Sequence, residues 1–301
     1  MKKILGKIFL LLVFIALLIA IFPKREEGNV VKQCLIDYNW YEFKDYSYYT
    51  KGRMSGSPRQ IVIHHSISPG MNRLKKVFEN NRVSCHYFID SNGRLTNVIS
   101  DTCVAYHAGF SYWNGIEKLN DSSICIEILN NSPFVHDING KQYKTLIKLI
   151  KKLKNKYNIK DDNIVSHSDV AYFNNDFIDD YLNRKQDVSY LFKWKKLAKS
   201  GIGIWYNERK INKNDYTILY YFGDEKDELI DIKNKLKKIG YRIDDTNNRY
   251  DISFYMQSIV FHRRFFPEQL IMAGQGLWTK SSTNVLNAVT SAFENYRNKS
   301  E

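Results

Sequence analysis

Three short apolar runs each carry polar side chains for which a strand interior has no packing use. They are Ile61-Val-Ile-His-His-Ser66, Ser123-Ile-Cys-Ile-Glu-Ile128 and Val165-Ser-His-Ser-Asp169. Burying such a group without a partner costs on the order of 2–7 kcal/mol, so two adjacent histidines and a central glutamate need something to bind. Zn2+ is the leading candidate, because neutral imidazole and carboxylate are its ordinary ligands and its catalytic sites keep one position open for water. The chemistry this implies is metal-assisted hydrolysis.

Side chains alternate along a strand, so His64 and His65 leave on opposite faces, and Cys125 shares the face of Glu127. His65 and His86 therefore read as structural, Cys125 is the one thiol able to approach a metal, and His136, in a polar loop, carries no signal. The regular chain starts near Arg59 with a strand at 60–65, followed by a helical pattern at Leu74, Val77 and Phe78. A strand at 83–89, the Asn92-Gly93 turn and a strand at 94–99 read as a hairpin. A strand at 122–129 precedes Tyr143, Leu146, Ile147, Ile150, Leu153 and Tyr157 at helical spacing, and a short strand follows at 163–166. Strands interrupted by helices predict an α/β fold, a mixed central sheet with helices on its faces.

A small C-terminal all-α three-helix domain is expected beyond the polar stretch at 206–216. Its helices are expected at 227–239, ending in Gly240, from the cap Asp251 to about Phe265, and from the cap Ser281 or Ser282. His262, beside Arg263 and Arg264, reads as a surface or interface residue. At the other end, Lys2, Lys3 and Lys7 precede an apolar run at 8–22, the layout of an export signal. The run is short for a span and lacks a small-residue cleavage site, so a signal peptide and a signal anchor both stand. Residues 28–57 read as an irregular approach segment.

At 301 residues and 44% apolar content the chain can bury a full core with room for about two domains. Its net charge of +13 fits either a Lys- and Asn-rich compositional bias or a polyanionic partner. Scattered basic residues argue against nucleic acid and fit an anionic cell-envelope polymer better. Cys34, Cys85, Cys103 and Cys125 permit two disulfides with three pairings. Lacking a CxxC, they read as small core residues with one bridge at most.

Ile61-Val-Ile-His-His-Ser66, Val83-Ser-Cys-His-Tyr-Phe-Ile-Asp90, Ala105-Tyr-His-Ala-Gly109, Asn120 with the strand of Glu127, and Ser166-His-Ser-Asp-Val170 occur in an order that resembles the zinc-dependent N-acetylmuramoyl-L-alanine amidase type 2 family, relatives of peptidoglycan recognition proteins. Arg184-Lys-Gln-Asp187 and Gly201-Ile-Gly-Ile-Trp205 extend the likeness over roughly residues 58–205. Leu236-Lys-Lys-Ile-Gly-Tyr241 and residues 258–267 more faintly resemble a peptidoglycan-binding domain, placed at 217–301.

The resemblance implies His64, His167 and Asp187 as Zn2+ ligands, Glu127 as general base and Lys185 as the charge that stabilises the oxyanion. It implies that His107 meets the substrate, and Tyr112 and Trp113 are candidates to wall the cleft. Peptidoglycan or muropeptides are the implied substrate, and export to the periplasm or cell envelope, with membrane association through the N-terminal apolar segment, is the implied setting. The family's Asp-Pro-Gly is replaced by Asp187-Val-Ser, and extra residues precede it, so Asp176 stands as a rival ligand. A noncatalytic recognition protein of the same fold, or a zinc peptidase cutting within the stem peptide, are the other readings.

Overall fold

In chain order the strands are β1 (Thr50–Gly52), β2 (Gln60–Ser66), β3 (Tyr87–Ile89), β4 (Leu95–Asn97), β5 (Cys103–Ala105), β6 (Tyr112–Trp113), β7 (Ile116–Glu117), β8 (Ser123–Leu129), β9 (Ile164–Ser166), β10 (Ile218–Tyr220) and β11 (Trp278–Thr279). The helices are α1 (Met71–Asn80), α2 (Gly140–Tyr157), α3 (His167–Val170), α4 (Trp194–Lys199), α5 (Glu228–Ile239), α6 (Ile252–Phe265), α7 (Pro267–Met272) and α8 (Lys280–Asn298). This computed structural model describes residues 33–37, 40, 49–172 and 185–300. The apolar run at 8–22, much of the approach segment, Asp176 and Arg184 lie outside the described residues. Among the described residues, no helix is long and apolar enough to cross a membrane.

The central sheet has the order β4-β3-β8-β2-β9, parallel except for β4. β2 and β8 are buried at every residue, as suits Ile- and Val-rich strands covered on both faces. Ile61 and Ile63 of β2 and Ile124, Ile126 and Ile128 of β8 pack with Tyr143, Leu146, Leu149, Ile150 and Leu153 of α2. Val62 and Cys125 point to the other side. The parallel register pairs His64 with Glu127, so the alternation that fills the core with isoleucine also sets these two side by side on the opposite face.

Asn139 starts α2 with a capping box: its side chain accepts from Lys141 and Gln142, and Gln142 reaches back. The predicted hairpin forms around Asn92-Gly93, but its first strand is shorter than expected. His86 explains this, because its Nδ1 accepts the Cys125 amide at 3.0 Å, which places a side chain where the ladder would continue.

The cysteines correct the sequence reading. Two bridges form, Cys34–Cys103 and Cys85–Cys125, with separations of 69 and 40 residues. Closing such loops removes unfolded-state entropy worth up to about 4 kcal/mol each. Cys125 is thus a disulfide sulfur and offers no thiolate to a metal.

The C-terminal part differs from an all-α three-helix unit by the β10–β11 antiparallel pair and by α7, which Pro267 opens at its first turn. Asp251 caps α6 as expected, but Thr279, not Ser281 or Ser282, caps α8. One hydrophobic cluster joins Val62, Trp113, Val165 and Val170 to Leu236, Phe261, Phe265 and Trp278. Trp113 is fully buried, donates Nε1–H to the Asp162 carbonyl at 2.8 Å and meets Tyr241 edge-on at 5.1 Å. It is therefore core and cannot wall a cleft. Gly240, at φ +134, leaves room for it: a Cβ there would meet the indole at 2.9 Å.

His262 is likewise not a surface residue. It is fully buried, with Nε2 2.9 Å from Ser282 Oγ. Burial pulls its pKa down to about 3 and that of His86 to about 4, against about 6.5 in an unfolded chain. The folded state therefore refuses protons that the unfolded chain accepts, so the associated stability is full above pH ~6.5 and is lost as pH falls toward these depressed values. Urea unfolding between pH 6.5 and 4 is expected to show the wild type losing stability more steeply than His262→Gln, by about 1.4 kcal/mol per pH unit. Parallel slopes would place a charged histidine in the fold.

Candidate metal site

His64 lies near the carboxyl end of β2, Glu127 near that of β8, and His167 opens α3 directly after β9. Asp187 comes from the segment leading to α4, where its carbonyl accepts the Ser168 amide at 2.6 Å. The carboxylate oxygen Asp187 Oδ2 lies 3.1 Å from His64 Nδ1 and 3.2 Å from His167 Nδ1. Other clusters of metal-ligand type among the described residues include Cys125, which the disulfide removes. His64, His167 and Asp187 remain.

These residues fit a zinc ion. Atoms about 2.0–2.2 Å from one tetrahedral ion are separated by about 3.3–3.6 Å, close to the spacings here. Protons support the fit as well. If His64 Nδ1 is left as a lone pair, Nε2–H donates to His107 Nδ1 at 3.0 Å. His107 Nε2–H then donates to Ser123 Oγ at 3.1 Å, and the Ser123 hydroxyl donates to the Leu119 carbonyl at 2.5 Å. The reverse assignment would turn the Ser123 proton toward His107 and leave that carbonyl without it.

His107 thus has both ring nitrogens engaged within the protein. Its Nδ1 faces His64 Nε2, so it is placed to orient that imidazole, as the outer partners of metal-bound histidines do. Asn120 Oδ1 holds its loop by accepting the His107 and Ala108 amides at 2.9 and 2.8 Å. His65 faces the other side, against Phe192. Tyr112 is half-buried on β6 and Lys185 is exposed.

Glu127 is 5% exposed and accepts a hydrogen bond from the Ser66 hydroxyl. Ser66 sits two residues past His64, so its place on this face was readable from strand alternation. Burial pushes the Glu127 carboxyl up to about 7; His64, Ser66 and Lys185 oppose the rise and Asp187 adds to it. Burial also works to raise Asp187, but His167 and His64 hold it well below the usual carboxylate range.

The sequence did not reveal the residues that hold His167. Asp169 belongs to a capping box with Ser166 and is bound by Arg264 of α6 and Tyr241, far away in the chain.

A carboxyl raised from 4.5 to about 7 by folding is destabilising wherever the unfolded chain would ionise it. In metal-free protein, Glu127→Gln is therefore expected to raise stability at pH 8 by on the order of 3 kcal/mol, with the difference vanishing below pH ~4.5. Chemical denaturation at both pH values checks this, and a destabilised variant at pH 8 would contradict it.

Residues 54–187 match the family described as N-acetylmuramoyl-L-alanine amidase. The chain is 31% identical over 166 residues to N-acetylmuramoyl-L-alanine amidase AmiD of Escherichia coli, an alignment covering 50% of this chain and 56% of that relative. The chain thus spans little more than half the length of that protein. It is 24% identical over 240 residues to a putative N-acetylmuramoyl-L-alanine amidase of Rickettsia conorii, covering 76% of this chain and 83% of the relative. The solved structure of E. coli AmiD with the substrate anhydro-N-acetylmuramic acid-L-Ala-D-gamma-Glu-L-Lys shares the fold, with a TM-score of 0.62 at 24% identity over 79% of this chain and 91% of that one.

Proposed function

We propose, on the premise that residues 54–187 constitute a domain of the N-acetylmuramoyl-L-alanine amidase family, that this chain hydrolyses the amide between the lactyl group of N-acetylmuramic acid and L-alanine in peptidoglycan or muropeptides. The observation that carries the reading is the convergence of His64, His167 and Asp187 on one point beside Glu127. These three residues would hold Zn2+. When bound, the ion supplies Lewis acidity, lowering the pKa of a water and polarising the scissile carbonyl.

The chain's own residues do the rest. Glu127 Oε1 is occupied by Ser66, which leaves Oε2 to take a proton from the attacking water. A carboxyl poised near neutrality by burial is suited to accept that proton and pass it to the departing L-alanine nitrogen as the C–N bond breaks. Lys185, whose charge reaches Glu127, would stabilise the oxyanion. His107 keeps the His64 imidazole in the tautomer that offers Nδ1. Tyr112, half-buried on the β6–β7 ribbon, is the aromatic face left to meet a sugar ring.

Two disulfides support an oxidising compartment, which agrees with export of the chain to the periplasm or cell envelope. The run at 8–22 would serve as signal or anchor, with membrane association in the latter case. The surplus of positive charge suits an anionic envelope polymer.

Purified protein is expected to release intact, sugar-free stem peptides from cell-wall fragments, to stop with a chelator and to resume with zinc. Peptides cut internally would indicate a peptidase, and binding without release a recognition protein. Glu127→Gln is expected to lower kcat by about 10²–10⁴ with little change in zinc content. Lys185→Ala should lower kcat with KM nearly unchanged, as for a group that acts only in the transition state; unchanged turnover would remove Lys185 from the mechanism.

A further inference from the structure

We infer that Arg264, assisted by Tyr241, is a positioning residue for the metal site: the C-terminal helices fix the turn that carries His167 by holding Asp169. The inference rests on the reading of His64, His167 and Asp187 as zinc ligands.

α3 is one turn long, and a helix that short has no stability of its own. Its geometry depends on Asp169, whose Oδ2 accepts from the Ser166 amide at 2.8 Å and the Ser166 hydroxyl at 2.7 Å. The same oxygen accepts from Arg264 Nη1 at 2.8 Å, and Oδ1 accepts from the Tyr241 hydroxyl at 3.1 Å. The Asp169 and Arg264 side chains are 0% and 2% exposed. Arg264 also donates Nη2 to the Ile164 carbonyl at 3.0 Å, and its guanidinium lies 4.2 Å over the Trp194 ring. One planar cation therefore grips the start of β9 and the cap of α3, with His167 between the two grips.

Removing Arg264 leaves a buried carboxylate without its counter-charge, the costly half of a broken buried pair. The Ser166–Asp169 cap then keeps only the Tyr241 hydroxyl from the helical half, and His167 loses its fixed direction toward Asp187. Arg264 acts on His167 through the turn, one step beyond a direct outer partner, whose loss typically weakens metal binding about 10–100-fold.

The test uses the full chain, measuring zinc affinity by competition with a chelating dye and the unfolding midpoint of metal-free protein. Arg264→Met is expected to weaken zinc binding about 10–100-fold, with partial recovery in Arg264→Lys and a smaller loss in Tyr241→Phe. The control is Arg297→Gln, which breaks a second ion pair seen among the described residues between these helices and the catalytic part, Arg297 Nε to Asp162 Oδ2 at 2.8 Å. It should lower the unfolding midpoint and leave zinc affinity unchanged.

Wild-type affinity in a folded Arg264→Met or in Tyr241→Phe would overturn the inference. So would an Arg297→Gln loss equal to that of Arg264→Met, since the effect would then be general docking. If Arg264→Met does not fold, Arg264→Lys and Tyr241→Phe decide. A wild type that binds no zinc defeats the metal reading itself, a result separate from zinc binding that ignores Arg264.

Discussion

Two imidazole nitrogens meet one carboxylate oxygen, and the rest of the molecule is arranged so that they can. His64, His167 and Asp187 come from three separate segments, tied to one another by the β2–β9 pairing and by the Ser168 amide on the Asp187 carbonyl. What aligns them is a parallel sheet whose strands end together. β2 delivers His64, β8 delivers Glu127 in register beside it, and β9 runs straight into the turn of His167. Open α/β sheets gather their functional groups at the carboxyl edge for this reason.

The same burial that makes the site effective also makes it costly. Glu127 is held against its preference to ionise, while Asp187 is kept charged by two neighbouring rings. The low-dielectric surroundings magnify both effects. The chain answers with paired donors and acceptors: Ser66 on Glu127, His107 and Ser123 behind His64, and Ser166 with Asp169 behind His167. Behind His64 the chain of partners ends on backbone, at the Leu119 carbonyl.

Local rules explain why much of this was readable from the sequence. Strand alternation separates His64 from His65 and puts Glu127 opposite isoleucine-filled core positions, and caps such as Asp251 and Gly240 mark helix ends through backbone chemistry alone. The misreadings involve residues whose role is set by distant partners. His262 sits beside two arginines in sequence and looks exposed, but its neighbours in space are Trp278 and Ser282. Trp113 looks in sequence like a cleft wall and is claimed by Gly240 and Tyr241. The disulfides depend on β3 lying beside β8 and on the segment at 33–37 reaching β5, which no spacing encodes. Arg264 reaches Asp169 across 95 positions, a distance at which a sequence pattern carries no information.

Gly240 and Trp113 place a limit on how this architecture can be varied. The indole of the sheet-bearing half fills the space that any side chain at 240 would occupy, so the seam between the halves is cut to atomic fit. A graft that replaced the helical half with a foreign one would have to supply a bare backbone at that position and a guanidinium at position 264. A change of shape on either side of this seam must therefore be met by a matching change on the other.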